Sequence, residues 1–141
     1  MRRPLMLCAL IATLALAGCA TLSGQSKDKL RDDTLEGYAS TLRWGDFASA
    51  YEFVDPQVRA QHPLSDAQKK QYNTVEIAQY DTDGPNDVDQ NTIRQLVRIS
   101  LINKVTQSAY DIEDRQTWHW DAAGKHWWLE SGLPDITPPQ P

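Results

Sequence analysis

Hydrophobic positions along this chain follow two regimes, helical spacing from Lys27 to Tyr72 and alternation beyond it. Leu35, Tyr38, Ala39 and Leu42 form one stripe, with Lys27, Asp28, Lys29, Arg31, Asp32 and Glu36 on the wet side, which predicts a helix from Lys27 to Trp44. Gly45 offers a carboxy-terminal cap. Asp46 offers an amino-terminal one for a second helix, Phe47 to Phe53, whose core face is Phe47, Ala50, Tyr51 and Val54. Asp55-Pro56 starts a third, since proline at the first helical position lacks only an N–H that has no partner there anyway. Ser65-Asp66-Ala67-Gln68 matches a capping box and opens a brief fourth helix, pinned by Leu64 and Tyr72.

Past Tyr72, Val75 and Ile77 mark a strand from Asn73 to Asp81. Val97, Ile99, Leu101 and Val105 mark a long one from Ile93 to Gln107, with Arg94, Arg98, Ser100 and Lys104 on its other face. Tyr110, Ile112, Trp118 and Trp120 give the third strand, Trp127 and Leu129 the fourth. A four-residue turn at Ala122-Ala123-Gly124-Lys125 pairs Trp120 with Trp127, Trp118 with Leu129 and His119 with Trp128. A two-residue turn at Ser108-Ala109 pairs Val105 with Ile112 and Ile99 with Trp118, although serine and alanine suit such a turn poorly and a longer loop is the alternative. Helices first and one dry-faced antiparallel sheet second make this an α+β domain whose helices cover the sheet.

Ahead of the helical half, Arg2 and Arg3 precede an apolar run from Leu5 to Leu16 and the small residues Ala17 and Gly18, the layout of a secretory signal. A spanning helix needs about 20 apolar residues, and this run is shorter. Leu16-Ala17-Gly18-Cys19 resembles the lipobox of bacterial lipoproteins. That resemblance implies cleavage before Cys19, a diacylglycerol thioether on its sulfur and acylation of the new amino terminus. With Ala20 and Thr21 next, and no aspartate, it also implies transfer to the outer membrane, periplasmic side, in a two-membrane bacterium. Each buried methylene contributes roughly 0.8 kcal/mol, so two or more chains hold a protein at the bilayer without help from its surface.

The expected organisation is a signal over 1–18, a lipidated cysteine and linker over 19–26, one domain over 27–133 and a proline-rich tail over 134–141. If flexible, the linker spans about 15 Å. The tail, with Pro134, Pro138, Pro139 and Pro141, reads as extended and unpacked. Cys8 lies in the signal and Cys19 is consumed by lipid, so no disulfide supports the domain.

Removing Arg2 and Arg3 from 14 basic residues leaves 12 against 19 acidic ones, a net charge of -7. That sign disfavours nucleic acid and anionic headgroups as partners. The expected partners are the membrane, through the lipid on Cys19, and an envelope protein or a second copy.

The element order, the junction Trp44-Gly45-Asp46-Phe47 and the closing Trp127-Trp128-Leu129 resemble the nuclear transport factor-like cone, also called cystatin-like or SnoaL-like, over Lys27 to Leu133. The resemblance implies a pocket between the first helix and the concave sheet face, and that outer sheet faces often dimerise. Alternation places Asn103, Asp114 and Gln116 on that concave face with Tyr38 opposite, a set able to bind a small ligand, with Asp114 as proton acceptor if burial raised its pKa. The competing reading, favoured by the charge density of Asp111, Glu113, Asp114 and Arg115, is a solvated hairpin tip.

No catalytic constellation stands out. There is no Gly-x-Ser-x-Gly, no phosphate loop and no free cysteine beside a histidine. His62, His119 and His126 do not set up a metal site. The run Asp81, Asp83, Asp87 and Asp89 fails the calcium-loop pattern, which needs glycine and glutamate where Asn86 and Thr92 stand. The chain therefore reads as non-catalytic and without cofactor. Trp128, beside His119 on the outer sheet face, is the candidate interface.

Overall fold

The computed structural model describes residues 19–140, with side chains from Lys27 onward. The signal expected over 1–18, with lipobox residues Leu16, Ala17 and Gly18, lies outside the described residues, as does Pro141. A single helix, α1, runs Cys19–Arg43. It is followed by α2, Phe47–Ala50, continued by a 3-10 turn Tyr51–Phe53, then α3, Pro56–Gln61, and α4, Asp66–Tyr72. The sheet comprises β1 (Val75–Thr82), β2 (Asn86–Asp87), β3 (Thr92–Asn103), β4 (Ala109–Asp121) and β5 (His126–Leu129). Strands β1, β3, β4 and β5 lie side by side, all antiparallel, and β2 adds to β3 beyond the end of β1.

The predicted caps form as local chemistry dictates. Gly45 takes φ +74°, the left-handed conformation that ends a helix without a Cβ penalty. Asp46 accepts from the Ser49 amide, Asp55 from the amides of Gln57 and Val58, and Ser65 and Gln68 complete both halves of a capping box.

Two expectations at the ends are corrected. The residues assigned to a linker over 19–26 are helical backbone, because a helix nucleated by its packed turns propagates with one hydrogen bond per added residue, and no proline interrupts it. The tail is packed at its start: Pro134 and Ile136 are buried, with the Tyr72 hydroxyl donating to the Pro134 carbonyl at 3.1 Å and Tyr110 to that of Ile136 at 2.7 Å.

The β4/β5 register is the predicted one, with Trp118 opposite Leu129, His119 opposite Trp128 and Trp120 opposite Trp127. The β3/β4 register differs. Ile99 faces Ile112 and Ile93 faces Trp118, with Ile102 opposite Ala109. Strand β3 ends at Asn103, whose side-chain oxygen accepts from the amides of Val105 and Thr106, and Gln107 turns the chain at φ +58°. Val105, expected in the core, stands in this loop and is exposed. The asparagine forms its own turn where alternation alone continues the strand.

One irregularity positions the interior. Ile77 pairs with Leu101 but Gln79 with Ser100, so Ala78 is an extra residue in β1. Such a bulge flips the parity of the residues after it. Tyr80 and Thr82, opposite the inward-facing Ile99 and Val97, thereby join the inner face. Against that face α1 lays Tyr38 and Leu42, and α2 adds Phe47, whose ring stacks on Tyr72 with centroids 4.5 Å apart.

Candidate functional site

Polar residues interrupt the apolar inner rows of β3 and β4 at two adjacent levels. Gln95 lies opposite Gln116, and Val97 opposite Asp114. All three polar side chains are buried, Gln116 to 1% exposure and Asp114 to 8%, so the solvated-tip reading of Asp114 does not describe its position. Gln116 is the hub. Its Nε2 donates to Asp114 Oδ2 at 2.7 Å and to Tyr80 Oη at 3.1 Å, while its Oε1 accepts from Gln95 Nε2 at 2.6 Å and from Trp118 Nε1 at 3.2 Å. Two donors and two acceptor positions are all that a glutamine amide has. Thr82 Oγ1 extends the chain by donating to Gln95 Oε1 at 3.4 Å.

Tyr38 descends from α1 onto this network. Its ring meets the edges of Trp118 and Phe53 at 5.2 and 5.6 Å, and its buried hydroxyl has no hydrogen-bond partner. Burial first, then the charge of Asp114, raises the Tyr38 pKa well above the ordinary phenol value. Tyr80 is pushed up to about 12, chiefly by burial. Burial also lifts Asp114 to about 6, against the opposing effect of the Gln116 hydrogen bond. A carboxyl that exchanges its proton near neutrality, close to a phenol, is the raw material of acid–base chemistry. Here it is buried, within a network that the protein itself satisfies.

Of the four residues expected to converge, Tyr38, Asp114 and Gln116 share this interior. Asn103 does not. It is half-buried at the end of β3 and spends its side-chain oxygen on the turn described above. Tyr80 and Gln95 take part instead. Tyr80 was hidden from the sequence because alternation from Ile77 sends it outward, and only the bulge brings it in. Gln95 carried a usable signal, a polar residue in phase with Ile93 and Val97.

The expected interface residues sit on the outer face, in direct opposition. His119 lies between two carboxylates, Nε2 at 3.4 Å from Asp55 Oδ2 and Nδ1 at 3.1 Å from Glu130 Oε1, in a geometry that leaves Nδ1 without a hydrogen bond. Asp55 also caps α3 and its amide donates to the Leu129 carbonyl, so Asp55 ties that helix to β5 beside His119 of β4. Trp128 is half-buried, with its ring 4.1 Å from that of His126. The strongly exposed tryptophan is Trp44, at 87%. At 100° per residue it lies 200° around α1 from Leu42, off the apolar stripe, and that signal was legible.

The acidic run after β1 is latched to α1. Lys27 Nζ donates to the Gln90 carbonyl and to Asn91 Oδ1, and lies 5.6 and 5.5 Å from the rings of Trp120 and Trp127. Arg31 reaches Asp87 at 4.0 Å. Among the described residues no three histidine, cysteine, aspartate or glutamate side chains are placed to hold a metal.

Surface hollows lie away from Tyr38 and Asp114. One of about 270 Å³ lies between α2 and α4, formed by Phe47, Ala48, Tyr51, Leu64, Lys69 and Tyr72. Another, of about 520 Å³, is lined by Arg94, Gln95, Leu96, Arg115, Gln116 and Thr117, so two positions of the polar network border it. No protein-family model and no curated protein matches this chain.

Proposed function

We propose that this chain is a lipoprotein of the cell envelope, anchored through Cys19 on the periplasmic side of the outer membrane, and that it acts by protein contacts without catalysing a reaction. The lipobox-like Leu16-Ala17-Gly18-Cys19 motivates the anchor. Among the described residues no helix is long and apolar enough to cross a membrane. The observation that carries the non-catalytic reading is the state of the concave face. Tyr38 and Gln116 are sealed from solvent, and every hydrogen-bonding position of Gln116 is taken by the protein itself. A substrate would have to break these internal bonds. The curled sheet under a long helix is also in keeping with a nuclear transport factor-like cone, here with its interior filled.

Replacing Cys19 by alanine is expected to move the protein from the membrane fraction to the soluble fraction, and mass spectrometry of the native amino terminus should find the thioether lipid. A bare sulfur in protein from its own cells overturns the anchor.

A second reading, a small-ligand pocket, rests on the unpartnered hydroxyl of Tyr38 beside Asp114. A ligand held there would raise the melting temperature of the wild type and not of Asp114→Ala. A lipid and metabolite panel without any such shift removes it.

A further inference from the structure

The outer row of β3 runs Arg94, Leu96, Arg98, and the strand register gives the two arginines opposite surroundings. Arg98 stands among carboxylates, opposite Asp81 on β1 and Glu113 on β4, with Asp83 bordering the same small hollow. Arg94 does not. Thr117 faces it on β4 and Asn86 on β2, and none of the ion pairs among the described residues engages it. Arg115, opposite Leu96, is the diagonal neighbour of Arg94, about 7–8 Å away across the ladder. Its one carboxylate contact, to Glu113 at 3.7 Å, joins two exposed side chains and holds it weakly. Asp87, next to Asn86, lies opposite the inward-facing Ile93 and reaches Arg31 of α1 instead. Arg94 and Arg115 both border the hollow of about 520 Å³, and no carboxylate borders it with them. In a chain with 19 acidic residues against 14 basic ones, that is a local reversal of sign.

We infer that this hollow binds a phosphate monoester, its phosphate held between the guanidinium groups of Arg94 and Arg115 and its body lying over Leu96. Charge and donor geometry select that class. Two guanidinium forks present a charge of +2 and paired N–H donors from two directions; a phosphate monoester answers with about −1.5 to −2 and three terminal oxygens, a carboxylate with a single charge and two oxygens. Thr117 and Asn86 add a hydroxyl and an amide to the same border. Gln95 and Gln116 border it too, but their amides are spent on the inner network, so they do not compete for the ligand. Size points the same way. The hollow falls within the roughly 300–1,000 Å³ of a small-molecule site and is far larger than a bare phosphate, which leaves room for an ester's body against Leu96. A soluble ester and a lipid headgroup offer the same group. The site goes beyond the contact-driven reading above and depends neither on it nor on the anchor.

Phenyl phosphate titrated calorimetrically into the full chain in neutral detergent should bind saturably, and phenol should not. Arg94→Gln and Arg115→Gln should each raise the dissociation constant at least about tenfold, the worth of one charge-assisted hydrogen bond, while the circular dichroism spectrum stays unchanged. Arg98→Gln removes the same charge further along the same face and should leave binding within about twofold. The Cys19→Ala chain, free of its anchor, then sorts the source of the phosphate. Cosedimentation with phosphatidylcholine vesicles carrying phosphatidic acid, lost in Arg94→Gln, assigns it to a lipid headgroup; phenyl phosphate binding without cosedimentation assigns it to a soluble ester. No saturable response to phenyl phosphate, a response indifferent to Arg94 and Arg115, or equal losses in all three arginine variants overturns the site. Vesicle binding without phenyl phosphate binding overturns it as well. Each of these failures leaves the contact-driven reading standing.

Discussion

Replacing Asp114 by asparagine is expected to stabilise the domain by about 3 kcal/mol at pH 7 and above, and to leave it nearly unchanged at pH 4. Burial raises this carboxyl from 3.8 to about 6, so the folded chain holds the proton more tightly than the unfolded one does. The folded state therefore binds more protons between those values, and stability falls as pH rises through the window from about 4 to 6. Roughly two pKa units at 1.36 kcal/mol each set the size of the loss. Asparagine keeps an oxygen to accept from Gln116 Nε2 and never ionises, so it escapes the loss. The opposite behaviour belongs to Asp46, Asp89, Asp121 and Asp135, whose pKa values are lowered, chiefly by hydrogen bonds to their carboxylates. Their contributions fade at lower pH, below the ordinary carboxylate range, so the two effects separate along the pH axis. Urea unfolding of wild type and Asp114→Asn at half-unit pH steps reads the difference directly. Parallel curves across pH 4 to 7 would show that Asp114 is ionised in the folded state without cost.

Trp118→Ala should be the most damaging single substitution in the sheet, at about 3–5 kcal/mol. Trp118 is the largest fully buried side chain, carries the ring of Tyr38 on its edge, and donates one of the two hydrogen bonds to Gln116 Oε1. Alanine removes all three at once, and α1, held on either side of Tyr38 by Lys27 and by the Gly45 corner, does not collapse into the space. Against a net stability of about 5–15 kcal/mol for a domain of ordinary size, this loss is large enough to raise the unfolded population in the cell. Trp128→Ala, on the opposite face of the same hairpin, should cost less, because its ring is half-buried and makes no bond to the interior. Equal losses for the two would mean that the inner network contributes nothing beyond hydrophobic area.

The non-catalytic reading and these predictions share one physical basis. Polar side chains that satisfy one another inside a low-dielectric core stabilise and specify the packing; polar side chains that await a substrate leave positions open. Gln116 leaves none. Tyr38 leaves one, on a buried hydroxyl whose pKa burial, and then the charge of Asp114, raises well above the ordinary phenol value.

What could be read from residue order alone is what is encoded within a few residues. The caps at Gly45, Asp46, Asp55 and Ser65 were legible because each satisfies backbone groups on its own turn. The β4/β5 register was legible because a four-residue loop between alternating tryptophans leaves one arrangement that keeps them on a single face. Parity placed Asp114 and Gln116 inward, and charge density argued wrongly against it, since Asp111, Glu113 and Arg115 alternate outward and say nothing of their neighbour. Tertiary structure decided the rest. Asn103 ended β3 by bonding to its own turn, Ala78 reversed the parity of β1 and brought Tyr80 to Gln116, and the tail was drawn in by hydroxyls of Tyr72 and Tyr110 more than 25 residues away in the chain. The bulge and the tail depend on one inserted residue and on partners remote in sequence, while Asn103 acts through a turn bond that competes with the strand. Local periodicity cannot register either, because a period carries the face of a side chain but not the distance at which its strand stops.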